Sequence, residues 1–262
     1  MDRLRATRFG ALIAWAHDGR VAELPGGFTV IDEVLPFGFV AEHRSEPSEI
    51  VLVLSGSGTS LAWYDRLHVA FVPFPGDRSP GSVGFGYLTG YAGLRLRSRA
   101  GVPDLPPAES DLVADLRQLL GTKPRRFIVA AHGFGAALAT VYVMHAALRG
   151  GVVPAEVYTF GSPRVGDKAF AAAYDTLGVP TLRVANYRDL AQRIPAADYT
   201  YTHVGTPCIV DSLGIAQLDH DCTHRMTTYL HLLDANNALG AGCARTPVDE
   251  GMAAYMSSVG ST

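Results

Sequence analysis

The chain has 262 residues, 48% of them hydrophobic and 18% charged, a balance that supplies one sizeable core and argues for a single domain over 1–262 rather than several. A formal net charge of −3, with Lys and Arg spread thinly, excludes the basic footprint that nucleic acid or an anionic membrane surface requires. The N-terminal stretch carries early arginines and a short apolar segment that runs into Asp18 with no small-residue cleavage site. It reads as a first helix, not a signal peptide. Residues 28–32 (FTVID), 50–55 (IVLVLS) and 69–74 (VAFVPF) read as strands, the second a continuous apolar run of the kind found inside a sheet. The Gly-, Pro- and Ser-rich segment 75–93 reads mostly as loop.

Residues 110–121 place Leu112, Val113, Leu116, Leu119 and Leu120 on one helical stripe, with Asp111 in the first turn and Gly121 as the stop. RFIVAA (126–131) is a short buried strand, HGFG a sharp turn, and 136–148 a helix apolar on nearly all sides. The longest uncharged apolar run, 134–148, falls short of the roughly 18 residues of a membrane span and includes His145. The pattern repeats as VYTFGS (157–162), a helix near 167–177, the strand TLRVAN (181–186) and a last helix from about Thr223 to Leu233. Alternation of this kind predicts an α/β fold, a mostly parallel central sheet with helices on both faces. Cys208, Cys222 and Cys243 form the odd, sparse set expected of a reducing compartment, so a cytoplasmic location is the expectation, with a Cys208–Cys222 bridge left open.

AHGFGAALAT (131–140) sits on a strand-to-helix turn of the kind that lifts one side chain above a sheet. It resembles the GHSLGGALA segment of the class 3 (fungal-type) lipase family, an α/β-hydrolase family, with Gly133 in the serine's place. TFGSPRVGDKAF (159–170) is similar to the family's TFG-x-PRVG, and NYRDLAQRIP (186–195) to its N-x-x-D-x-V-x-x-x-P. YTHVG (201–205) matches an aromatic-x-H-x-G run, and HRMTTYLHLLD (224–234) resembles the stretch that carries the family's catalytic histidine. The resemblance implies a triad in chain order: Gly133 at the nucleophile position, Asp189 as acid, His224 as histidine, with His220 and His231 competing for the last role. LSGSGTSLAW (54–63) is similar to the family's FRGT-x5-W, which implies an oxyanion hole of Ser57 with the Phe134 amide. Gly58-Thr59 offers a second register there.

A glycine at an elbow is physically tolerable, because the nucleophile's backbone is strained and glycine adopts it without a Cβ penalty. Covalent acyl transfer is lost with the hydroxyl. The resemblance therefore implies an ester-hydrolase scaffold for a lipid or acyl-ester small molecule, inactive or nearly so as written. The alternatives are a non-catalytic lipid- or acyl-binding protein and, further off, hydrolysis by a water that His224 and Asp189 activate. Ser162 belongs to another strand's loop and is not expected to replace the nucleophile. No cofactor is called for. A metal cluster of His220, Asp221, Cys222 and His224 fits no CxxC or HExxH spacing, so no metal is expected. His132 and His203 are expected to be structural, and Phe71, Phe74, Phe85 and Tyr87 either line an acyl pocket or belong to the core.

Overall fold

The computed structural model describes residues 2–19, 22, 24–44, 49–56, 69–76, 79–99, 112–121, 125–196, 200–246, 249–252 and 254–255. The strands in chain order are β1 (Phe28–Leu35), β2 (Gly38–His43), β3 (Glu49–Leu54), β4 (Phe71–Pro73), β5 (Ser82–Gly84), β6 (Arg95–Leu96), β7 (Arg126–His132), β8 (Glu156–Phe160), β9 (Thr181–Asn186) and β10 (Thr206–Val210). The helices are α1 (Arg3–His17), α2 (Phe85–Ala92), α3 (Leu112–Leu120), α4 (Phe134–Leu148), α5 (Lys168–Thr176), α6 (His220–His224) and α7 (Met226–Leu233). The main sheet runs β10-β9-β8-β7-β3-β2-β1-β6. From β3 to β10 every pairing is parallel, and the antiparallel strands β2, β1 and β6 extend the other edge.

The apolar runs of the central strands follow from burial on both faces. Ile50, Leu52, Leu54, Val129 and Ala131 point into one core with α3, α4 and part of α2. The intervening Val51, Val53, Ile128 and Ala130 point into the other core, against α1 and α7. A helix as apolar as α4 is stable because it lies in the middle of the first core, with most of its residues buried. Helix α1 is capped by Asp2, whose carboxylate accepts from Arg5 N at 2.7 Å. It is pinned at the base of the sheet where Arg5 reaches Glu49 and Glu156, at 3.3 and 3.1 Å, and Arg8 reaches Glu49 at 3.0 Å. This anchoring carries the C-terminal end of α1, with His17, towards the far end of the strands.

Several elements depart from the sequence reading, among them the edge strands β6 and β10, which it did not assign. β2 follows β1 across a tight turn at Pro36 and Phe37. The segment 69–74 contributes only β4, which pairs with β5 in a separate two-stranded sheet. The supposed loop 75–93 contains β5 and α2, whose Tyr87 and Tyr91 are buried. The last helix is two helices, broken at Arg225, which is extended at φ −65°, ψ 136°. No helix among the described residues is long and apolar enough to cross a membrane.

Candidate active site

The parallel strands β7, β8 and β9 deliver their C-terminal ends to one place, where ligand sites of open α/β sheets form. β7 ends at His132 and is followed by Gly133, at φ 55° and ψ −124°, and α4 starts on the next residue. That backbone conformation is closed to most L-residues and is the strained turn expected of an elbow. The Gly133 N–H donates to Phe160 O at 2.9 Å, continuing the ladder to β8. The small flanks are needed: a Cβ on Gly135 would run into the carbonyl oxygen of Leu54.

Beyond β9, Asp189 is completely buried. Its Oδ1 accepts from Ala191 N at 2.8 Å, while Oδ2 accepts from the Tyr229 hydroxyl at 2.6 Å and meets His224 Nδ1 at 2.7 Å. An aspartate with three such partners is held as a carboxylate acceptor, so His224 Nδ1 carries the proton and Nε2 is left as the basic nitrogen. That Nε2 faces the elbow: a Cβ built on Gly133 would stand 2.8 Å from it. The sequence-predicted positions 133, 189 and 224 are thus brought together, though 189 and 224 are 35 residues apart.

Asn186, Arg225, His17 and Gly161, which the sequence reading did not assign, fix this arrangement together with His132, which it expected to be structural. Asn186, fully buried, donates from Nδ2 to Thr223 O at 2.8 Å and to Ser212 Oγ at 3.0 Å, which ties the end of β9 to the residue before His224. The break at Arg225 ends α6 at His224, and its freed carbonyl accepts from His132 Nε2 at 2.8 Å. His132 Nδ1 is then the acceptor for His17 Nε2 at 3.2 Å. Burial, reinforced by the nearby His224 and His17, pushes the His132 pKa well below that of an ordinary histidine. Burial and His224 lower His17 to about 4. Burial, then His224, also lowers His220, whose ring stacks at 5.5 Å from that of His224. Gly161, at φ 55°, ends β8 beneath the pair, and a Cβ there would stand 2.8 Å from Asp189 Oδ2 and 3.0 Å from His224 Nδ1.

The rest of the expected site is distributed as follows. Phe134 begins α4, and Gly56 lies against the helix start, where a Cβ would be 2.8 Å from Gly135 N and 3.5 Å from Phe134 N. Ser57, Thr59 and Trp63 lie outside the described residues. His203 is structural: Nε2 meets Gln192 O at 2.8 Å, and burial lowers its pKa to about 3. His231 is turned to Asn237 O at 2.7 Å, away from Asp189. Ser162 is buried and donates to Pro163 O at 3.1 Å. Phe74 and Tyr87 are core, Phe85 is exposed, and Phe71 stacks on Tyr201 at 4.1 Å. The cysteines correct the expected reading: Cys222 is bonded to Cys243, with Cys208 the free thiol. A Cys222 thiolate is therefore not on offer to a metal, and no three His, Cys, Asp or Glu side chains converge on a metal position among the described residues.

A family model described as Lipase (class 3) matches residues 51–199. Phospholipase A(1) DAD1, chloroplastic, of Arabidopsis thaliana is 23% identical over 277 residues, covering 88% of this chain and 59% of that protein. Phospholipase A1 EG1, chloroplastic/mitochondrial, of Oryza sativa subsp. indica is 34% identical over 121 residues, 40% of this chain and 27% of that protein. The chain thus spans less than two thirds of the length of these curated relatives. The Rhizomucor miehei lipase in its propeptide complex aligns with a TM-score of 0.64 and 24% identity over 79% of this chain and 68% of that one, a likeness in fold.

Proposed function

The chain belongs to the class 3 lipase family, and from that premise we propose that it is a lipid- or acyl-ester-directed domain that keeps the acid and histidine of an acyl-transfer site and has Gly133 where the attacking serine belongs. The observation that carries this reading is the placement of His224, bonded to Asp189 at 2.7 Å and aimed at the position a residue-133 Cβ would take. With a serine there, His224 would take its proton as base and return it to the leaving alcohol as acid. Asp189 would orient the ring, and the Phe134 amide with Ser57 would receive the oxyanion. With glycine, no acyl-enzyme forms, and the site binds its ester without that chemistry.

Gly133→Ser tests the reading. The unaltered protein should take up no serine-directed phosphonate and show no acyl-enzyme burst on short nitrophenyl esters. The folded Gly133→Ser variant should be labelled at the introduced hydroxyl and hydrolyse the esters at least about a hundredfold faster, a small share of what a complete triad supplies. Adding His224→Ala should abolish the gain. The built Cβ is too close to Nε2 for the ring to stay in place, so recovery also requires His224 to withdraw by a few tenths of an ångström. A Gly133→Ser variant that folds and stays inert would overturn the triad roles. Burst-free turnover by the unaltered protein, lost in His224→Ala, would replace the binding reading with a water nucleophile.

A further inference from the structure

β9 carries a charged side chain at a place where the sheet offers it no counter-charge. Val184 belongs to the core beneath α1 and α7, with Leu182 packed against it, so Arg183 between them projects from the opposite face. Its cross-strand neighbours in register are Thr159 on β8 and Pro207 on β10, and the same-face positions along β9 are Thr181 and Ala185. None of these is acidic. The side chain is half-buried, and its Nε is sealed from solvent with no hydrogen-bond partner, whereas Nη1 and Nη2 are not sealed in this way. The position lies along β9, short of its C-terminal end, and the acid–histidine pair stands beyond that end.

The groups that do stand near Arg183 are neutral or of its own sign. Burial lowers the Arg183 pKa and Arg164, in the loop after β8, lowers it further, against a smaller pull from Tyr229. Arg164 is committed to the backbone, its Nη1 donating to Arg193 O and, at 2.8 Å, to Pro195 O, so it adds charge here more than a donor. His203 is held through Nε2 on Gln192 O at 2.8 Å. Burial, then Arg183 and Arg164, depress its pKa to about 3, so the ring is neutral and supplies no counter-charge. A part-desolvated charge without compensation is costly. The donors left on Arg183 are its terminal nitrogens, whose planar fork matches an oxyanion. A second guanidinium beside the first favours a dianion over a single carboxylate.

We infer that Arg183, with Arg164 beside it, is a binding site for a compact oxyanion of the phosphate type, either free phosphate or the terminus of a phosphomonoester, taken by the terminal nitrogens of Arg183. The inference is independent of the chemistry at Gly133. The unaltered protein is titrated above neutral pH with sodium phosphate, phenyl phosphate or sodium acetate, at an ionic strength held constant with sodium chloride, and followed by its thermal midpoint, calorimetry and the arginine Nε–H resonances. Phosphate should saturate, shift the Arg183 signal and raise the midpoint by about 3 °C at tenfold its Kd. Acetate should bind several-fold more weakly. Phenyl phosphate binding as phosphate does supports the inference with an ester terminus as ligand, and its silence beside a phosphate response supports it with the free ion. Arg183→Gln should abolish the response and leave the phosphate-free midpoint unchanged or raised, because it removes an uncompensated charge. Arg183→Lys, which keeps the charge without the fork, should weaken phosphate several-fold. Four results overturn the inference: chloride matching phosphate, acetate matching phosphate, a phosphate response that survives Arg183→Gln, or an Arg183→Gln protein destabilised in phosphate-free buffer, which would make Arg183 a structural residue.

Discussion

The two turns at Gly133 and Gly161 are near copies of each other with different consequences. They end neighbouring parallel strands, share a φ of 55°, and each donates its N–H to the next strand, to Phe160 O and Val184 O respectively. In both cases a Cβ would strike the acid–histidine pair, but from opposite ends. At 161 it meets Asp189 Oδ2 and the Nδ1 edge of the ring, and at 133 only the Nε2 edge. Gly161 is a floor on which the pair rests. Gly133 is the position the pair is aimed at, and the imidazole has settled closer to it than a side chain would allow. The same residue type in the same conformation thus lies under the pair at one strand end and in front of its Nε2 edge at the other.

Alanine at each glycine separates the two. Gly161→Ala adds a Cβ to a left-handed backbone and drives it against a carboxylate that is buried and fixed by three hydrogen bonds. A loss of about 3 kcal/mol or more is expected, with strain and a broken buried network acting together, and the low-field Nδ1 proton between His224 and Asp189 should disappear. Gly133→Ala imposes similar backbone strain but presses only on the ring edge, and His224 borders a cavity. A loss of about 2 kcal/mol is expected, with the low-field proton retained. Denaturant unfolding and proton NMR read both effects. Equal losses, or a Gly133→Ala protein without the proton, would break the distinction between floor and target.

The sequence makes this comparison only half legible. The turn at 133 stands out because a buried strand, small residues and a fully apolar helix follow one another without a linker. Asp189 and His224 are recoverable through family resemblance, which supplies the pairing that periodicity cannot. Gly161 lies in the most specific motif of the chain, yet its reason, the pair lying over it, is visible only in three dimensions. His17 joins the site from the opposite end of the chain, carried there by the anchoring of α1. β10 escapes notice because it is an edge strand with mostly exposed positions, which removes the apolar alternation. α2 escapes because its glycines resemble loop chemistry, although Gly90 is small for a reason: a Cβ there would meet the Phe134 ring.

The histidines behind the ring sharpen the comparison through pH. His17 titrates at about 4 when folded against an ordinary 6.5. Between those values the unfolded chain holds a proton that the folded chain lacks. Stability from this group is therefore complete above pH 6.5 and falls as pH drops towards 4, at up to about 1.4 kcal/mol per pH unit. His132 and His203 are depressed in the same direction. His17→Gln, which keeps a donor for His132 Nδ1, should flatten the acid limb of the stability curve by one proton's share, with the shared neighbours Asp18, His132 and His224 unchanged. An acid limb of unchanged slope would show that His17 is not neutral in the folded state.

The smallest expected effect concerns how the carboxylate is shared. Tyr229 donates to the same Asp189 oxygen that His224 uses, and its hydroxyl accepts from Asn186 N at 3.2 Å. Its ring packs on Phe160, the residue before Gly161, with centroids 6.1 Å apart. Tyr229→Phe keeps that packing and removes only the hydroxyl, so the buried Asn186 N–H loses a partner and Asp189 loses one of three donors. A cost of about 1 kcal/mol follows from one buried hydrogen-bond group. The oxygen then belongs to His224 alone, so the Nδ1 proton should move further downfield as that bond shortens. Gly161→Ala would break the bond from below, whereas this change tightens it from the side. The two variants should therefore push the same proton signal in opposite senses, one to loss and the other to lower field. A Tyr229→Phe protein with its stability lowered and the proton unmoved would make Tyr229 a support for Asn186 rather than a partner in holding the pair.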